Sequence, residues 1–552
     1  MLIRNNIITE NQLLQALNIQ KSQGGKLGKI LIDLGHVTPK CMYKMLEKQL
    51  GIKYINLNDI EIDQLAILKV NEKLVRKHKI LPFQIENNYL HIAMVDPLDI
   101  YAIDDINLFT GLKLVTYFSE EDSIVKNIDL HYSTQSALKA AEQYKKDKEI
   151  EIEENNHESN HNKELIKSTP IIKIVNTIIE QGIGSRASDI HIEPYDKDIR
   201  IRYRIDGKLQ QYVTYDKTLL SAIVARIKIM SGLDISEKRK PQDGRLGIKY
   251  DVKEYDLRIS ILPTVFGEKV VMRITDKLGF NRKKEHLGFF QDDLEKFNNI
   301  LNNPYGIILV TGPTGSGKST TLYTALNELN NEDINVVTVE DPVEAKLEGI
   351  NQVQVNTKIG VSFASVLRSI LRQDPDIIMI GEIRDDETAS IAVKASITGH
   401  LVVSTVHTND ASSSIIRLAD MGVERYLLAA SMVGVIAQRL VRKLCPYCKK
   451  PHTIDEQEKI ILKADYNNSI IYEPQGCIKC GFTGYYGRIG VYEIMPVTNK
   501  IKMLINENAT SEELKKQAII EGMKSLKENT IRLVLDGITS YEEFVNIASS
   551  IE

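Results

Sequence analysis

The segment from residue 306 to residue 330 places a glycine-rich loop between an apolar strand and a helix. Residues 306–311 are Gly-Ile-Ile-Leu-Val-Thr, an apolar run of strand length, and residues 320–330 have helical character. Between them, residues 312–319 are Gly-Pro-Thr-Gly-Ser-Gly-Lys-Ser, which matches G-x-x-x-x-G-K-[ST] in the strand–loop–helix context that the motif requires. The chain must therefore build a parallel sheet in which strands alternate with helices.

This loop has the chemistry of phosphate binding. Its glycines let backbone N–H groups turn inward around phosphate oxygens, and the helix N-terminus adds the positive end of its dipole. Lys318 is expected to reach the β- and γ-phosphates of ATP, and the Ser319 hydroxyl to ligate Mg²⁺. The predicted nucleotide-binding residues are Gly312, Pro313, Thr314, Gly315, Ser316, Gly317, Lys318, Ser319 and Thr320. The alternative, a glycine-rich turn with a surface lysine, is disfavoured by the flanking strand and helix.

Two further apolar segments of this region end in acidic residues. One leads into Glu340 and Glu344, and the other leads through Gly381 into Glu382. At the carboxyl ends of a parallel sheet these carboxylates can polarise water and hold the metal, although each one alone would more often be a capping residue. Gly381 takes the place of the usual aspartate, so Glu382 is expected to act on the metal through water.

Two histidines, His400 and His407, bracket the apolar strand at residues 401–406. Their separation along a strand places them at opposite ends and on opposite faces. A lone histidine is usually structural. Because these two flank a core strand of a nucleotide-binding fold, we predict that they sense the γ-phosphate.

Four of the five cysteines form two Cys-x-x-Cys pairs, Cys445 with Cys448 and Cys477 with Cys480. This is the spacing of a four-thiolate tetrahedral zinc site. Four protein ligands leave no open coordination position, so the zinc is expected to be structural. Free thiols or a redox pair are the alternative. Cys41 is left over and is expected to be a small apolar core residue.

Length and composition exclude several classes of protein. A chain of 552 residues is too long for one core, and its net charge of −4 gives no cationic field for nucleic acid, which is not an expected partner. No apolar run approaches the roughly eighteen residues that span a bilayer, and the N-terminus lacks a signal-peptide core. We therefore expect a cytoplasmic protein whose association with the membrane is peripheral and depends on a partner.

The pattern of apolar and polar residues divides the chain into six parts. Period-two alternation after residue 186 predicts half-buried strands, continuous apolar strands after residue 305 predict a parallel sheet, and a run of glutamates predicts a flexible linker. The predicted parts are an N-terminal domain at 1–132, an acidic linker at 133–168, an α+β domain at 169–278, the ATPase core at 279–440, the cysteine module at 441–495 and a C-terminal helical region at 496–552.

Motifs spread over residues 165–500 resemble one superfamily. In chain order they lie at 186–193, 202–207, 241–245, 312–321, 340–344, 381–385 and 398–409. Together they resemble the secretion ATPases, and more narrowly the type IV pilus assembly ATPases (the PilB family) and the type II secretion ATPases (the GspE family). The resemblance implies a RecA-like P-loop ATPase domain, a preceding PAS-like α+β domain, a helical N-terminal domain and a small zinc-binding insertion.

The same resemblance implies an activity and an assembly. The chain is expected to form a homo-hexamer that hydrolyses ATP and drives type IV pilus assembly at the inner face of the cytoplasmic membrane, against an inner-membrane platform protein. Type II secretion is the nearest alternative. A nucleotide-gated scaffold that binds ATP without cycling and a DNA translocase are alternatives of other classes.

The resemblance also implies roles for individual residues. Glu344 corresponds to the family's water-activating glutamate and Glu382 to its Walker B glutamate. Arg258 and Arg273 resemble arginines that reach the nucleotide phosphates, where a guanidinium stabilises charge on the transferred phosphoryl group. Without the resemblance, most of these arginines would be assigned to surface ion pairs. The weaker candidates for the same role are Arg202, Arg204 and Arg245.

The first region is similar, from Lys26 to Gly51, to an N-terminal domain that binds cyclic di-GMP in some of these ATPases. An arginine is usual where Lys26 stands, and lysine cannot offer the planar fork that recognises a guanine edge. The resemblance implies cyclic di-GMP as a ligand of this region, whereas the lysine favours the other interpretation, a helical docking domain for a partner.

Overall fold

A computed structural model gives the fold. It describes residues 8–23, 30–31, 34–37, 47, 51–57, 60, 62–86, 88–97, 99–121, 123–125, 127–128, 131–132, 169–251, 253–276, 283–462 and 470–551. The chain divides into two compact units, residues 1–181 with 215–227 and residues 182–214 with 228–552. Lys26, Cys41 and the predicted linker lie outside the described residues. Among the described helices, none combines the length and the apolar character needed to cross a bilayer.

The first unit contains a three-stranded sheet and several helices. Its strands are β1 (Ile80–Glu86), β2 (Tyr89–Met94) and β3 (Lys113–Phe118), and β2 lies between an antiparallel β1 and a parallel β3. The apolar runs at residues 80–83 and 89–93 predict strands, and the structure confirms both. Their apolar residues form the core with the helix that precedes β3. The helices of this part are α1 (Glu10–Gln23), α2 (Gln64–Lys69), α3 (Glu72–His78), α4 (Ile100–Thr110), α5 (Thr169–Gly184) and α6 (Leu220–Met230).

The second unit begins with a six-stranded sheet whose order is β6-β5-β4-β9-β8-β7. The dipeptide Asp206-Gly207 between two strand-like runs predicts a hairpin turn, and the structure confirms it. The φ angles of the two residues are 48° and 90°, the positive values that a tight two-residue hairpin requires. The sequence predicts strands at 189–193, 199–205, 246–250, 255–262 and 270–274, and the observed strands are longer. They are β4 (Ala187–Pro194), β5 (Asp198–Ile205), β6 (Lys208–Asp216), β7 (Gln242–Tyr250), β8 (Lys253–Thr264) and β9 (Gly267–Asp276).

A seven-stranded sheet of order β12-β11-β13-β14-β10-β15-β18 follows in the second unit. All its neighbours are parallel except β15 and β18. Its strands are β10 (Gly306–Thr311), β11 (Val336–Glu340), β12 (Asn351–Gln354), β13 (Ile377–Ile380), β14 (Leu401–Val406), β15 (Met432–Leu444) and β18 (Tyr485–Pro496). The helices that alternate with them are α7 (Gln291–Leu301), α8 (Lys318–Leu329), α9 (Phe363–Ile370), α10 (Asp386–Ile397), α11 (Ala411–Asp420) and α12 (Arg425–Ser431).

The central strands of this sheet are buried along their whole length. Every residue of β10, β13 and β14 is buried, as continuous apolar runs covered on both faces require. Two apolar clusters, one around Leu309 and Val402 and the other around Val310 and Val403, contain alternate residues of the same strands. The predicted parallel sheet, covered by helices on both faces, is therefore confirmed. The C-terminal ends of its parallel strands lie together at one edge, the carboxyl edge of the sheet.

The cysteine segment lies between two neighbouring strands of the large sheet. β15 and β18 pair with each other and run across the predicted boundaries at residues 440 and 495. Between them, β16 (Lys450–Thr453) pairs with β17 (Ile470–Glu473), and α13 (Glu456–Leu462) precedes β17. The insertion is therefore held at its base by the ATPase sheet itself.

Four helices close the chain: α14 (Asn499–Asn506), α15 (Ser511–Ile520), α16 (Leu526–Leu535) and α17 (Tyr541–Ile551). The sequence Thr510-Ser511-Glu512-Glu513 predicts a capping box, and the structure confirms it. The sequence Thr539-Ser540-Tyr541-Glu542 predicts a second capping box, and this prediction is wrong by one residue. The Ser540 hydroxyl accepts the first hydrogen bond of α17, whereas the Thr539 hydroxyl donates to the carbonyl oxygen of Arg442.

Candidate functional site

The phosphate loop connects the end of β10 to the start of α8. Gly312, Gly315 and Gly317 have φ angles of 148°, 80° and 90°, which L side chains rarely adopt. A Cβ on Gly312 would lie 2.4 Å from the carbonyl oxygen of Gln438, so β15 lies too close for a side chain there. The glycines are therefore required for the tight curve that turns backbone N–H groups toward a bound phosphate.

Lys318, the first residue of α8, folds back over this loop. Its ammonium donates hydrogen bonds to the carbonyl oxygens of Gly312 at 2.7 Å and Pro313 at 3.1 Å. Burial lowers the pKa of Lys318 to about 8, with Glu382 opposing the shift and Arg439 adding to it. A nucleotide phosphate would supply the negative charge that restores the ammonium form.

The other polar residues of the loop fit the same ligand. The Ser316 hydroxyl oxygen is buried and has no hydrogen-bond partner among the described residues, so a phosphate oxygen could accept its proton. Thr314 and Ser319 are exposed and Thr320 is half-buried. Ser319 lies in the first turn of α8, beside Lys318, so its hydroxyl is free to ligate Mg²⁺ at the phosphates.

Glu382 follows β13 and lies close to the phosphate loop. One of its carboxylate oxygens contacts Arg384, and the other is 3.4 Å from Nε2 of His407. The Glu382 side chain is only 13% exposed, and its charge acts on the Lys318 ammonium. The structure thus brings Lys318, Glu382 and His407 together at the carboxyl edge of the sheet.

His400 lies at the opposite edge of that sheet. Its Nδ1 is 2.8 Å from the carbonyl oxygen of Ala395, and its own carbonyl oxygen accepts the N–H of Gly306 at the start of β10. The six residues of β10 separate this edge from the phosphate loop by roughly 20 Å. The structure does not bring His400 to the chain's own loop, and its role at a γ-phosphate stays a prediction.

The acids after β11 have different surroundings. Glu340 is buried and accepts hydrogen bonds from Tyr323, from Thr338 at 2.6 Å and from Gln352 at 3.0 Å. Because neutral donors already occupy its oxygens, Glu340 anchors the segment. Glu344 is half-buried and makes no such set of neutral contacts among the described residues, so its carboxylate is the one able to polarise a water molecule.

The two arginines predicted at the phosphates lie opposite each other on β8 and β9. The register places Arg258 between Arg273 and Arg245, so the three side chains share one face of the six-stranded sheet. Nη2 of Arg258 is 2.5 Å from Oε2 of Glu344. Arg273 is 63% exposed and donates to Asp189 at 3.0 Å. Only Arg258 therefore reaches the acidic segment in this structure.

The weaker arginine candidates Arg202 and Arg204 make ion pairs within the six-stranded sheet. Arg202 lies 2.8 Å from Glu193, and Arg204 lies 3.6 Å from Asp189. Burial raises the pKa of Glu193, but Arg202 and Lys269 more than offset it and hold that pKa at about 2. These contacts match the ion-pair alternative.

A cavity of about 490 Å³ opens beside the phosphate loop. Strands of the six-stranded sheet and residues of the ATPase sheet both line it. Apolar and charged side chains share its wall, among them Ile183, Ile274, Leu287, Lys253 and Asp276. A concave site of this size and mixed chemistry suits the base and ribose of a nucleotide.

Two site residues, Tyr323 and Arg439, lie outside all the sequence motifs, and Arg384 lies in the motif at 381–385 but was given no role. Arg439 is 5% exposed and donates to the carbonyl oxygen of Asn409 at 2.9 Å. Its guanidinium lies 3.1 Å from where a Cβ on Gly312 would be. Burial lowers its pKa. Only the pairing of β15 with β10 brings it to the loop, and no spacing along the chain reveals that pairing.

The four predicted zinc ligands form one cluster. The Sγ atoms of Cys445, Cys448, Cys477 and Cys480 all lie within 4.8 Å of one another, with closest pairs at 3.8 and 3.9 Å. A tetrahedron with Zn–S bonds of about 2.3 Å requires sulfur separations near ~3.8 Å. Burial raises the pKa of the Cys480 thiol, but N–H donors from Cys477 and Gly484 lower it below its ordinary value. The donor set fits zinc.

The fold and the site together define a P-loop ATPase. A parallel sheet presents a phosphate loop, its lysine and an acidic strand end at one edge, and an arginine from a second sheet contacts the neighbouring acidic segment. This is the arrangement of enzymes that bind and cleave nucleoside triphosphates.

The chain belongs to the family described as Type II/IV secretion system protein, whose model matches residues 164–546. A second model, the MshEN domain, matches residues 50–138.

Individual relatives agree with this membership. A Type IV pilus assembly ATPase PilB of Myxococcus xanthus (strain DK1622) is 44% identical over 553 residues, 99% of this chain and 97% of its own. A Type II secretion system protein E of Xanthomonas campestris pv. campestris is 38% identical over 554 residues, 98% of this chain and 96% of its own. The solved ATPase DotB of Yersinia pseudotuberculosis has a TM-score of 0.53 at 22% identity, covers 69% of this chain and 94% of its own, and shows the fold alone.

Proposed function

We propose that this chain is an ATP-hydrolysing motor subunit that drives type IV pilus assembly. The observation that supports the motor most strongly is that Lys318 and Glu382 lie together at the phosphate loop, while Arg258 pairs with Glu344 in the segment that Tyr323 ties to α8. Over nearly the full chain, identity to the pilus assembly ATPase of Myxococcus xanthus is 44%, against 38% for the type II secretion protein of Xanthomonas campestris. The same motor in type II secretion is the second candidate.

The proposed chemistry is attack of water on the γ-phosphate, which yields ADP and phosphate. Lys318 and the loop N–H groups hold the phosphates, and Glu344 accepts the proton of the attacking water. Arg258 gives up its ion pair with Glu344 and then stabilises the charge that develops on the transferred phosphoryl group. Glu382 is oriented by Arg384 and His407, and it would orient a water molecule toward a bound Mg²⁺. We propose Arg273 and His400 as further phosphate contacts, available when a second copy completes the site.

Two metal ions belong to this proposal. Mg²⁺ would be held by the Ser319 hydroxyl and the phosphates, and it would neutralise charge on the β- and γ-oxygens. Zn²⁺ would be held by the four cysteines of the cluster, where it supplies folding free energy to the insertion between β15 and β18.

We further propose a homo-hexamer as the working assembly, acting on an inner-membrane platform protein at the inner face of the cytoplasmic membrane. The family membership supports both proposals. The predicted division into six parts also stays a proposal, with the insertion built on β15 and β18 as the segment that faces the platform protein.

The N-terminal region is proposed as the regulatory part of the motor. Its match to the MshEN domain begins at residue 50, after Lys26. Cyclic di-GMP is the proposed ligand, and calorimetry on the full chain tests it. Binding that is lost in Lys26→Ala would support this role. If the unaltered chain does not bind cyclic di-GMP, the remaining interpretation of this region is a docking domain for a partner.

The function is tested by pairing turnover with pilus formation. Lys318→Ala should abolish ATP hydrolysis by the purified chain, and it should also abolish surface pili when it replaces the chromosomal copy. Retained turnover would remove the loop from the mechanism. Loss of turnover with normal pili but defective export of folded proteins would favour the secretion alternative.

A further inference from the structure

The hydroxyl of Tyr323 joins the phosphate-loop helix to the acidic segment. Tyr323 lies on α8 and its side chain is fully buried. The hydroxyl donates a hydrogen bond to Oε2 of Glu340 and accepts one from the backbone N–H of Glu344 at 3.1 Å. One side chain thus contacts both glutamates, and the second contact is made to the backbone of the residue proposed to activate water.

The carboxylate of Glu340 makes this connection stiff. It also accepts hydrogen bonds from Thr338 and from Gln352 at 3.0 Å. Gln352 in turn accepts the N–H of Leu347 at 2.8 Å and donates to the carbonyl oxygen of Ala345 at 3.0 Å. The segment between Glu340 and Leu347 is therefore held at both ends, and Tyr323 is its tie to α8.

We propose that Tyr323 is a positioning residue for ATP hydrolysis, which fixes Glu344 relative to the phosphate loop. Tyr323 lies five positions after Lys318, about 7.5 Å along the axis of α8. The helix whose first turn holds the phosphates therefore also sets the place of Glu344. The inference rests on the proposed function of Glu344 as the water-activating carboxylate.

The hydrogen bond between Tyr323 and Glu344 determines how much the hydrolysis rate should fall when the Tyr323 hydroxyl is removed. Glu344 follows a short irregular segment, and without the Tyr323 contact its backbone loses the hydrogen bond that ties it to α8. A misplacement of about 1 Å in such a site costs on the order of 10²-fold in rate. Nucleotide binding depends on Lys318 and the loop, whereas the Tyr323 hydroxyl donates to Glu340 and accepts the backbone N–H of Glu344.

The test compares Tyr323→Phe with Thr324→Val in the full chain. Each removes one buried hydroxyl from α8, but the Thr324 hydroxyl donates only within the helix, to the carbonyl oxygen of Thr320. Tyr323→Phe should lower kcat by about 10- to 100-fold while the Kd for a fluorescent ADP analogue stays within about twofold. Thr324→Val should leave both within about twofold. A Tyr323→Phe enzyme with unchanged kcat, or with equal losses in kcat and binding, would overturn the inference.

A double variant separates this inference from the function on which it rests. If Tyr323 acts through Glu344, adding Tyr323→Phe to Glu344→Gln should lower the residual rate no further. Two losses that multiply would mean that Tyr323 acts elsewhere. An active Glu344→Gln enzyme would remove the role of Glu344 and, with it, this inference. An inactive Glu344→Gln beside a fully active Tyr323→Phe would overturn the Tyr323 inference alone.

Discussion

Arg258 and Glu344 form an ion pair in which Nη2 lies 2.5 Å from Oε2. The arginine belongs to the six-stranded sheet and the glutamate to the segment after β11, so the pair joins the two sheets of the second unit. Both side chains are partly exposed, at 23% and 30%. In the proposed mechanism, an arriving γ-phosphate would compete for the guanidinium and free the carboxylate to act on water, so activation of Glu344 would depend on nucleotide binding.

Replacing Arg258 should separate hydrolysis from binding. Arg258→Ala is expected to lower kcat by about 10³-fold, because the developing phosphoryl charge loses its cation, and to change nucleotide affinity by less than about threefold. Arg245→Ala, one strand away on the same face, is the matched control and should have a much smaller effect. Steady-state turnover measures kcat, and equilibrium binding measures nucleotide affinity. Equal losses in kcat and affinity would contradict the assigned role.

Nucleotide binding should take up a proton in alkaline solution. The pKa of Lys318 is about 8 in the free chain, so at pH 9 about nine-tenths of its amine is neutral. Bound phosphate favours the ammonium and raises that pKa, so affinity should fall by up to about tenfold per pH unit above pH 8. Calorimetry in two buffers of different ionisation enthalpy should give nearly one proton taken up at pH 9 and almost none at pH 6.5. No uptake at pH 9 would exclude a neutral Lys318.

One zinc ion should copurify with each chain. Cys480→Ser should lose the metal and lower the Tm, because three remaining thiolates hold zinc weakly and the insertion folds with the ion. Cys41→Ser keeps all four ligands and should retain full metal content. Elemental analysis and thermal unfolding measure both effects. A well-folded unaltered chain without metal would refute the site.

The two histidines should differ in their effect on turnover. His407 is 3.4 Å from Glu382, whereas His400 lies at the amino edge of the sheet. His407→Ala should therefore reduce kcat by about tenfold or more. A monomeric chain that carries His400→Ala should bind nucleotide as tightly as the unaltered monomer. Weaker binding by that monomer would show that His400 reaches its own loop after all.

The sequence predicted those features whose residues lie close together along the chain. The loop at residues 312–319, Glu382 at a strand end and the two cysteine pairs each have a local spacing that only a few structures satisfy. Each therefore predicted a position as well as a residue type. The hairpin turn at Asp206 succeeded for the same reason, since two adjacent residues with positive φ angles define it.

Other parts of the site depend on contacts between distant segments. Tyr323 meets Glu344 only because α8 packs beside the end of β11, and Arg439 meets the loop only because β15 pairs with β10. Neither side chain has a distinctive neighbour in sequence. The sequence also did not predict the ion-pair partner of Arg273, because only the register of β4 and β9 places Asp189 opposite Arg273.

Glu344→Gln provides the most direct test of the account, which requires that carboxylate to accept the proton of the attacking water. Single-turnover hydrolysis of ATP by this variant should be slower by about 10²- to 10⁴-fold, with the Kd for ATP within about threefold of the unaltered chain. A variant that hydrolyses ATP at nearly the original rate would contradict the assignment of the site.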